Sequence, residues 1–203
     1  MGIYSDVILP KLCDCSMRNE RLLPYRERVI GAAEGRVLEI GSGSGLNLPH
    51  YRPAVREILA LEPLPSLAAM ARRVPHSAIP VNFIEASAEA IPLDDGSVDT
   101  VVTTWTLCTI PGAATALSEM RRVLKSGGRL LFVEHGRSPD RGVRWCQDCL
   151  NPIWRRITGG CNLNRPIRSL IEEGGFRLDR VETGYMKGPS PMTFMYEGSA
   201  RPK

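Results

Sequence analysis

The chain lacks any apolar run able to cross a membrane: no stretch of its 203 residues approaches the roughly 18 that a spanning helix needs. Its first residues, Met1 to Lys11, contain Asp6 and show no charged segment leading into an apolar core, which excludes a secretory signal. Together these absences lead to the expectation of a cytoplasmic protein. Aromatic residues make up only 6%, and no nucleic-acid motif or aromatic-interleaved basic groove is present, so the net charge of +4 carries no expectation of nucleic acid. Internal repeats and low-complexity tracts are also absent. No G-x-x-x-x-G-K-[ST] sequence occurs, which excludes a phosphate loop. The six cysteines (13, 15, 108, 146, 149, 161) imply no disulfides in a chain without a secretory signal. Cys146 and Cys149, three apart in a helical stretch, read as part of one buried stripe, and no metal site is expected.

What is present is ordinary globular composition, 43% hydrophobic and 24% charged, in a length that suits one domain. Residues 36–203 read as the core and residues 1–35 as a helical cap or lid. Apolar runs at 36–40, 56–62, 81–86, 97–105 and 129–135 read as strands, with helical patterns at 66–74 and 112–128, the latter closed by a glycine pair. Helices are expected at 143–157 and 165–173, and two late strands at 176–184 and 190–200 with no helix between them. Near-continuous apolar strands mark a parallel sheet covered on both faces. The expected fold is therefore α/β: a doubly wound, mostly parallel sheet with an antiparallel C-terminal hairpin.

The segment "VLEIGSGSGLNL" (37–48) runs a buried strand into Gly41, Gly43 and Gly45, where absent Cβ atoms let a ligand approach the backbone, and a helix is expected to follow. Leu46 stands where a dinucleotide fingerprint needs its third glycine, which disfavours a nicotinamide dehydrogenase. Glu62 ends the second strand, 21 residues after Gly41, where a carboxylate can accept both hydroxyls of a ribose. Glu39 is positioned to orient the loop or to meet the cationic end of a ligand. Ser87, Ala88 and Glu89 fall at the end of the third strand, where an adenine would lie.

"LEIGSGSG", "LALEP", "ASAEAIP", "DGSVDTVV" and "RVLKSGGRLLFVEH" together resemble class I S-adenosylmethionine-dependent methyltransferases over about residues 35–200. The resemblance implies a seven-stranded sheet and S-adenosyl-L-methionine as cofactor. It implies that Gly41, Gly43 and Gly45 approach the methionine and ribose parts, that Glu62 holds the ribose, and that Ala88 and its neighbours meet adenine. Glu39, Ser42, Asn47, Pro63, Ser87, Glu89, Thr104 and Trp105 complete the implied cofactor site. "TLCTIP", "FVEHG" and "NPIWRRITGGCNLNR", with Trp145 and Cys149, further resemble the alkyl-thiol methyltransferase group. That implies a small-molecule acceptor, a thiol first. A phospholipid amine or quinone-type acceptor at a membrane surface, and a non-catalytic cofactor-binding module, remain as alternatives.

Doubly wound sheets bind ligands at the carboxyl rim of their strands. Candidates there are Trp105 and Cys108 after the fourth strand, and Glu134 and His135 after the fifth. His135 is the expected base or acceptor-positioning group, since imidazole takes a proton near neutral pH. Glu134 is either its catalytic companion or a structural, helix-orienting acid. Asn162 either caps the next helix or enters the acceptor site. Seven arginines between Arg137 and Arg168 (137, 141, 144, 155, 156, 165, 168) stand against only Asp140 and Asp148, which reads as a solvated face or as a patch that meets an anionic substrate or, peripherally, a membrane surface.

Overall fold

The computed structural model describes residues 4–75 and 78–203. Before the sheet come a π-helical turn (Tyr4–Ile8), helix α1 (Leu9–Met17), a 3-10 turn (Glu20–Leu22) and helix α2 (Leu23–Gly31). The remaining order is β1 (Gly35–Ile40), β2 (Val55–Leu61), α3 (Pro65–Ala71), β3 (Val81–Ile84), β4 (Val98–Thr104), α4 (Ala113–Val123), β5 (Leu124–His135), α5 (Arg141–Ile157), α6 (Ile167–Glu173), β6 (Phe176–Tyr185), α7 (Ser190–Thr193) and β7 (Phe194–Pro202).

Seven strands form one sheet in the order β3-β2-β1-β4-β5-β7-β6. β1 pairs in parallel with β2 and β4, and β7 runs antiparallel between β5 and β6, as the doubly wound reading requires. Strand periodicity divides the core between two faces. Leu38, Ile40, Val101, Leu130 and Phe132 pack with Leu117 and Met120 of α4 on one side. Val37, Ile58, Val102, Leu131 and Val133 pack with Val29 and Ile30 of α2 on the other. The order reverses between β1 and β4, so the connections leaving those strands diverge and open a crevice at their carboxyl ends.

Three local expectations are corrected. The helix expected to follow the glycine loop is a single 3-10 turn, Leu48–His50; Pro49 fits its start, but Tyr51 returns to extended backbone. The helix expected over 112–128 stops at Val123. Leu124 is already extended (φ −72°, ψ 133°) and pairs with Val98, so edge pairing with β4 overrides the helical pattern. The strand expected from 190 begins at Phe194, because Ser190–Thr193 form a helical turn with Pro191 in its first positions.

Candidate active site

The carboxyl ends of β1, β2, β4 and β5 bring the two halves of the site to one rim. On the β1 side the chain turns through Gly41 (φ +65°), Gly43 (φ +56°) and Gly45 (φ +81°), a left-handed path that residues with side chains resist. Glu62 holds this loop: one carboxylate oxygen accepts the N–H of Gly43 at 2.9 Å, the other the N–H of Leu64 at 3.0 Å. Burial pushes Glu62 above the usual carboxylate range, and the two backbone bonds pull back only part of that shift. Each oxygen keeps further lone-pair capacity for a ribose hydroxyl.

These residues fit the cofactor implied by the resemblance. A side chain added at Gly43 would meet nothing nearer than the Gly41 carbonyl at 3.9 Å, so the loop presents open backbone there. The buried Oγ of Ser42 and Nε1 of Trp105 have no protein partner, which leaves two polar atoms for a ligand to satisfy. Trp105 itself sits at φ +52°, a strained conformation for a bulky residue. Its ring carries the Arg26 guanidinium 5.4 Å from the centroid. Ala88 is buried, while Ser87 and Pro63 are exposed near the β3 and β2 ends. The Ser87 Oγ accepts the Glu89 N–H at 3.2 Å in a local turn, and the Glu89 carboxylate accepts the Gly112 N–H, tying this loop to the start of α4.

Three residues implied at the cofactor site share one buried hydrogen-bond network beside the loop. The Asn47 amide donates to Glu39 at 2.7 Å and to Thr104 Oγ1 at 2.9 Å, and its oxygen accepts from Arg26 at 2.6 Å. Glu39 also accepts the Tyr51 hydroxyl at 2.9 Å and is fully buried. Burial raises the Glu39 carboxyl to about 7 against these bonds. Of the two roles open to Glu39, the loop-orienting one matches this network, and Asn47 and Thr104 share it.

On the other side of the crevice, residues 105–108 form a turn around Glu134. Its carboxylate accepts Thr103 Oγ1 at 2.9 Å, the N–H groups of Thr106 and Leu107 at 3.0 Å each, and that of Cys108 at 3.4 Å. Three of these donors crowd one oxygen, and only the long Cys108 bond reaches the other. Of the two roles open to Glu134, the structural one matches this geometry: it is fully buried and holds the turn. Asn162 is a corrected expectation. It neither caps α6 nor enters the acceptor space, since its amide donates to the carbonyls of Cys108 (2.8 Å) and Gly160 (3.0 Å). The sequence also did not anticipate Arg165, which turns inward to the carbonyls of Leu107 and Ile110 (2.7 Å) and so leaves the outer arginine face.

Cys108 and His135 do meet, through a residue that sequence reasoning passed over. His135 Nε2 lies 2.9 Å from Cys161 Sγ, and that sulfur lies 3.7 Å from Cys108 Sγ. The bond from Cys161 toward Cys108 and its burial push the Cys161 thiol well above its ordinary range, so it is protonated. The only sequence signal was its place directly after the Gly159-Gly160 break, which brings it to the rim. The two sides touch: a Cβ at Gly41 would fall 2.4 Å from the Thr106 side chain. Helix α1 reaches across them. Asp14 accepts the Ser44 hydroxyl of the glycine loop at 2.5 Å, and burial, with Glu62 beside it, pushes the Cys13 thiol up. Two surface grooves, about 280 and 410 Å³, lie at the opposite end of the strands around Arg121 and Lys203, away from this chemistry.

The family pattern described as a methyltransferase domain matches residues 38–132. Thiol S-methyltransferase TMT1B of Homo sapiens is 31% identical over 204 residues, covering 95% of this chain and 80% of that protein. Its Rattus norvegicus counterpart is 33% identical over 156 residues, and there the chain spans 62% of the relative's length. The S-adenosylmethionine-dependent methyltransferase of Mesorhizobium loti superposes with a TM-score of 0.66 at 16% identity, covering 91% of this chain and 99% of that one, which is a likeness of fold.

Proposed function

Since the chain belongs to the S-adenosylmethionine-dependent methyltransferase family, we propose that its acceptor is a small-molecule thiol, taken up on the rim between Trp105 and Cys161. When bound, the cofactor supplies a methyl carbon already made electrophilic by its positively charged sulfur. The glycine loop and Glu62 would hold it, and Trp105 would wall the space beyond. What the protein adds is alignment of the acceptor and exclusion of water, in which proximity is the largest contribution. Helix α1, bonded to the glycine loop through Asp14, is suited to act as the cover.

One observation carries the choice of acceptor. Glu134, the carboxylate at this turn, is fully buried and bonded to it, and the reactive groups gathered beside it are Cys108, Cys161 and His135. A phenol or amine, with a reference pKa near 10, needs a strong positioned base; a thiol near 8.5 needs far less. The two relatives above act on thiols by name, which supports the same reading. Full-length protein incubated with methyl-labelled cofactor and a panel of an alkyl thiol, a hydroquinone and an ethanolamine phospholipid tests it. Label on the thiol is expected; transfer to the quinol or lipid with none to the thiol overturns the proposal. Cofactor binding without transfer to any acceptor would favour the non-catalytic reading.

We further propose a cytoplasmic enzyme that rests on anionic membrane surfaces through α5. The stripe containing Cys146 and Cys149, expected to be buried, turns largely outward: Cys146 is half-buried, while Cys149, Trp145 (68%), Ile153 (64%) and Ile157 (53%) are exposed. Gln147 is the buried residue of this helix. Arg141, Arg155 and Arg156 are exposed along the same helix, an arrangement suited to acidic headgroups beside acyl chains. No helix among the described residues is long and apolar enough to cross a membrane. Sedimentation with phosphatidylserine-containing vesicles at low salt is expected to carry the protein down, and Trp145→Ser with Ile153→Ser to release it. No binding at low salt removes this part of the reading.

A further inference from the structure

We propose that Cys108, His135 and Cys161 bind a zinc-class divalent ion, and that the ion's fourth position takes the sulfur of the acceptor; this second half rests on the thiol reading above. The three residues come from three separate segments: the turn after β4, the end of β5, and the loop after α5. Their ligand atoms nevertheless all lie within 4.8 Å of one another. Around tetrahedral zinc, with zinc–sulfur bonds of about 2.3 Å, two thiolates stand about 3.8 Å apart. Cys108 and Cys161 are separated by 3.7 Å. The 2.9 Å between His135 Nε2 and Cys161 Sγ would open by about 0.6 Å to reach the imidazole–thiolate edge of the same tetrahedron. A two-sulfur, one-nitrogen set selects a borderline-soft ion over magnesium or calcium, and three protein ligands leave one position free, the pattern of catalytic zinc.

The backbone carrying these ligands is held in place. Cys108 is fixed through its N–H by Glu134 and through its carbonyl by both the N–H and the side chain of Asn162. His135 closes the β5–β7 ladder opposite Met195. Arg165, anchored on the carbonyls of Leu107 and Ile110, adds positive charge beside the two thiolates. Glu134, Asn162 and Arg165 are then positioning residues for the ion site, which accounts for two buried polar side chains and one half-buried arginine converging on one short turn. On binding, each cysteine S–H and the acceptor S–H gives its proton to solvent as a sulfur–metal bond forms. Nothing is oxidised or reduced, and the acceptor is held as the nucleophilic thiolate.

The test uses the full chain, purified with a phosphine reductant and stripped of metal, then titrated with zinc against a chelating dye and separately with cobalt. The expected result is one equivalent of zinc, a thiolate-to-cobalt charge-transfer band, and a rise in unfolding temperature with zinc. Cys161→Ser and His135→Asn should each weaken zinc binding by about a hundredfold or more. Cys146→Ser and Cys149→Ser should change nothing. If one ligand variant fails to fold, the other still answers. A reduced wild-type chain that takes up no zinc, or ligand variants that bind as well as wild type, overturns the site. Zinc uptake without methyl transfer to any thiol overturns the thiol reading and leaves the ion site standing. Thiol methylation by metal-free protein at the metal-loaded rate overturns the ion's role in activation and leaves the thiol reading standing.

Discussion

The donor and acceptor sides of the crevice are built by opposite means. On the donor side, residues 41–47 and Glu62 work largely through backbone: glycines in left-handed conformations, one carboxylate on two N–H groups, and a buried Glu39–Asn47–Tyr51 network underneath. On the acceptor side, buried side chains from distant segments converge, with Glu134, Asn162 and Arg165 tying down a turn that presents Cys108 to His135 and Cys161. The donor side needs little more than two strand ends in parallel register. The acceptor side exists only after α5 and the Gly159-Gly160 break bring Cys161 back to β5. A backbone cradle suits a ligand common to a whole family; a side-chain assembly suits an acceptor that varies within it.

The sharpest way to break this comparison is Glu62→Ala. Removing a charged acceptor of two ribose hydroxyls, at about 1.5–3 kcal/mol per bond, should weaken cofactor binding by at least about a hundredfold. His135→Ala, on the other side, should leave cofactor affinity nearly unchanged while lowering turnover. Equal losses in a calorimetric titration would contradict the division. Next is Glu134→Ala, which strands several buried N–H groups and should cost about 2–3 kcal/mol in chemical denaturation; Glu134→Gln, keeping one acceptor oxygen, should recover part of it. An unchanged denaturation midpoint for Glu134→Ala would remove its role as the turn's anchor.

Gly41→Ala probes the seam between the sides. A Cβ there meets Thr106 at 2.4 Å and forces φ +65° on an L-residue, so a loss of about 1–2 kcal/mol is expected. Thr106→Ala in the same chain should restore part of that loss, and no recovery in thermal unfolding would mean the seam is not a real contact. The smallest effect is in pH. Glu39 ionises near 7 in the folded protein, above its unfolded value near 4.5, so the native state binds the extra proton between those values. Its contribution is fully present below about 4.5 and is lost as pH rises through about 7. Glu39→Gln should therefore flatten the fall in unfolding temperature across that window; an unaltered slope would show that the network keeps Glu39 ionised.

The donor side was legible because its parts are contiguous: a buried strand, three glycines and an acid at the next strand end. Asn47 and Thr104 sit in the motif but turn under the loop, since a buried carboxylate at Glu39 demands donors. The acceptor side was legible only in part. Cys108 and His135 fall at strand ends, which periodicity locates. Cys161 lies 26 residues beyond His135 and 53 beyond Cys108, with no pattern joining it to either. The α5 stripe was misread for a related reason: its spacing is helical, and spacing alone does not say whether an apolar face meets protein or something outside it.

What the sequence by itself determined is the sheet, its crossovers and the family's cofactor motif. Apolar periodicity and glycine conformations are local properties, and right-handed connections leave few ways to arrange them. What only the tertiary structure decided is which buried acids serve the fold, which face of α5 stays uncovered, and that two thiols and an imidazole share one corner. Those outcomes depend on contacts between segments far apart in the chain, where satisfying each buried polar group in three dimensions, rather than any local preference, selects the partner.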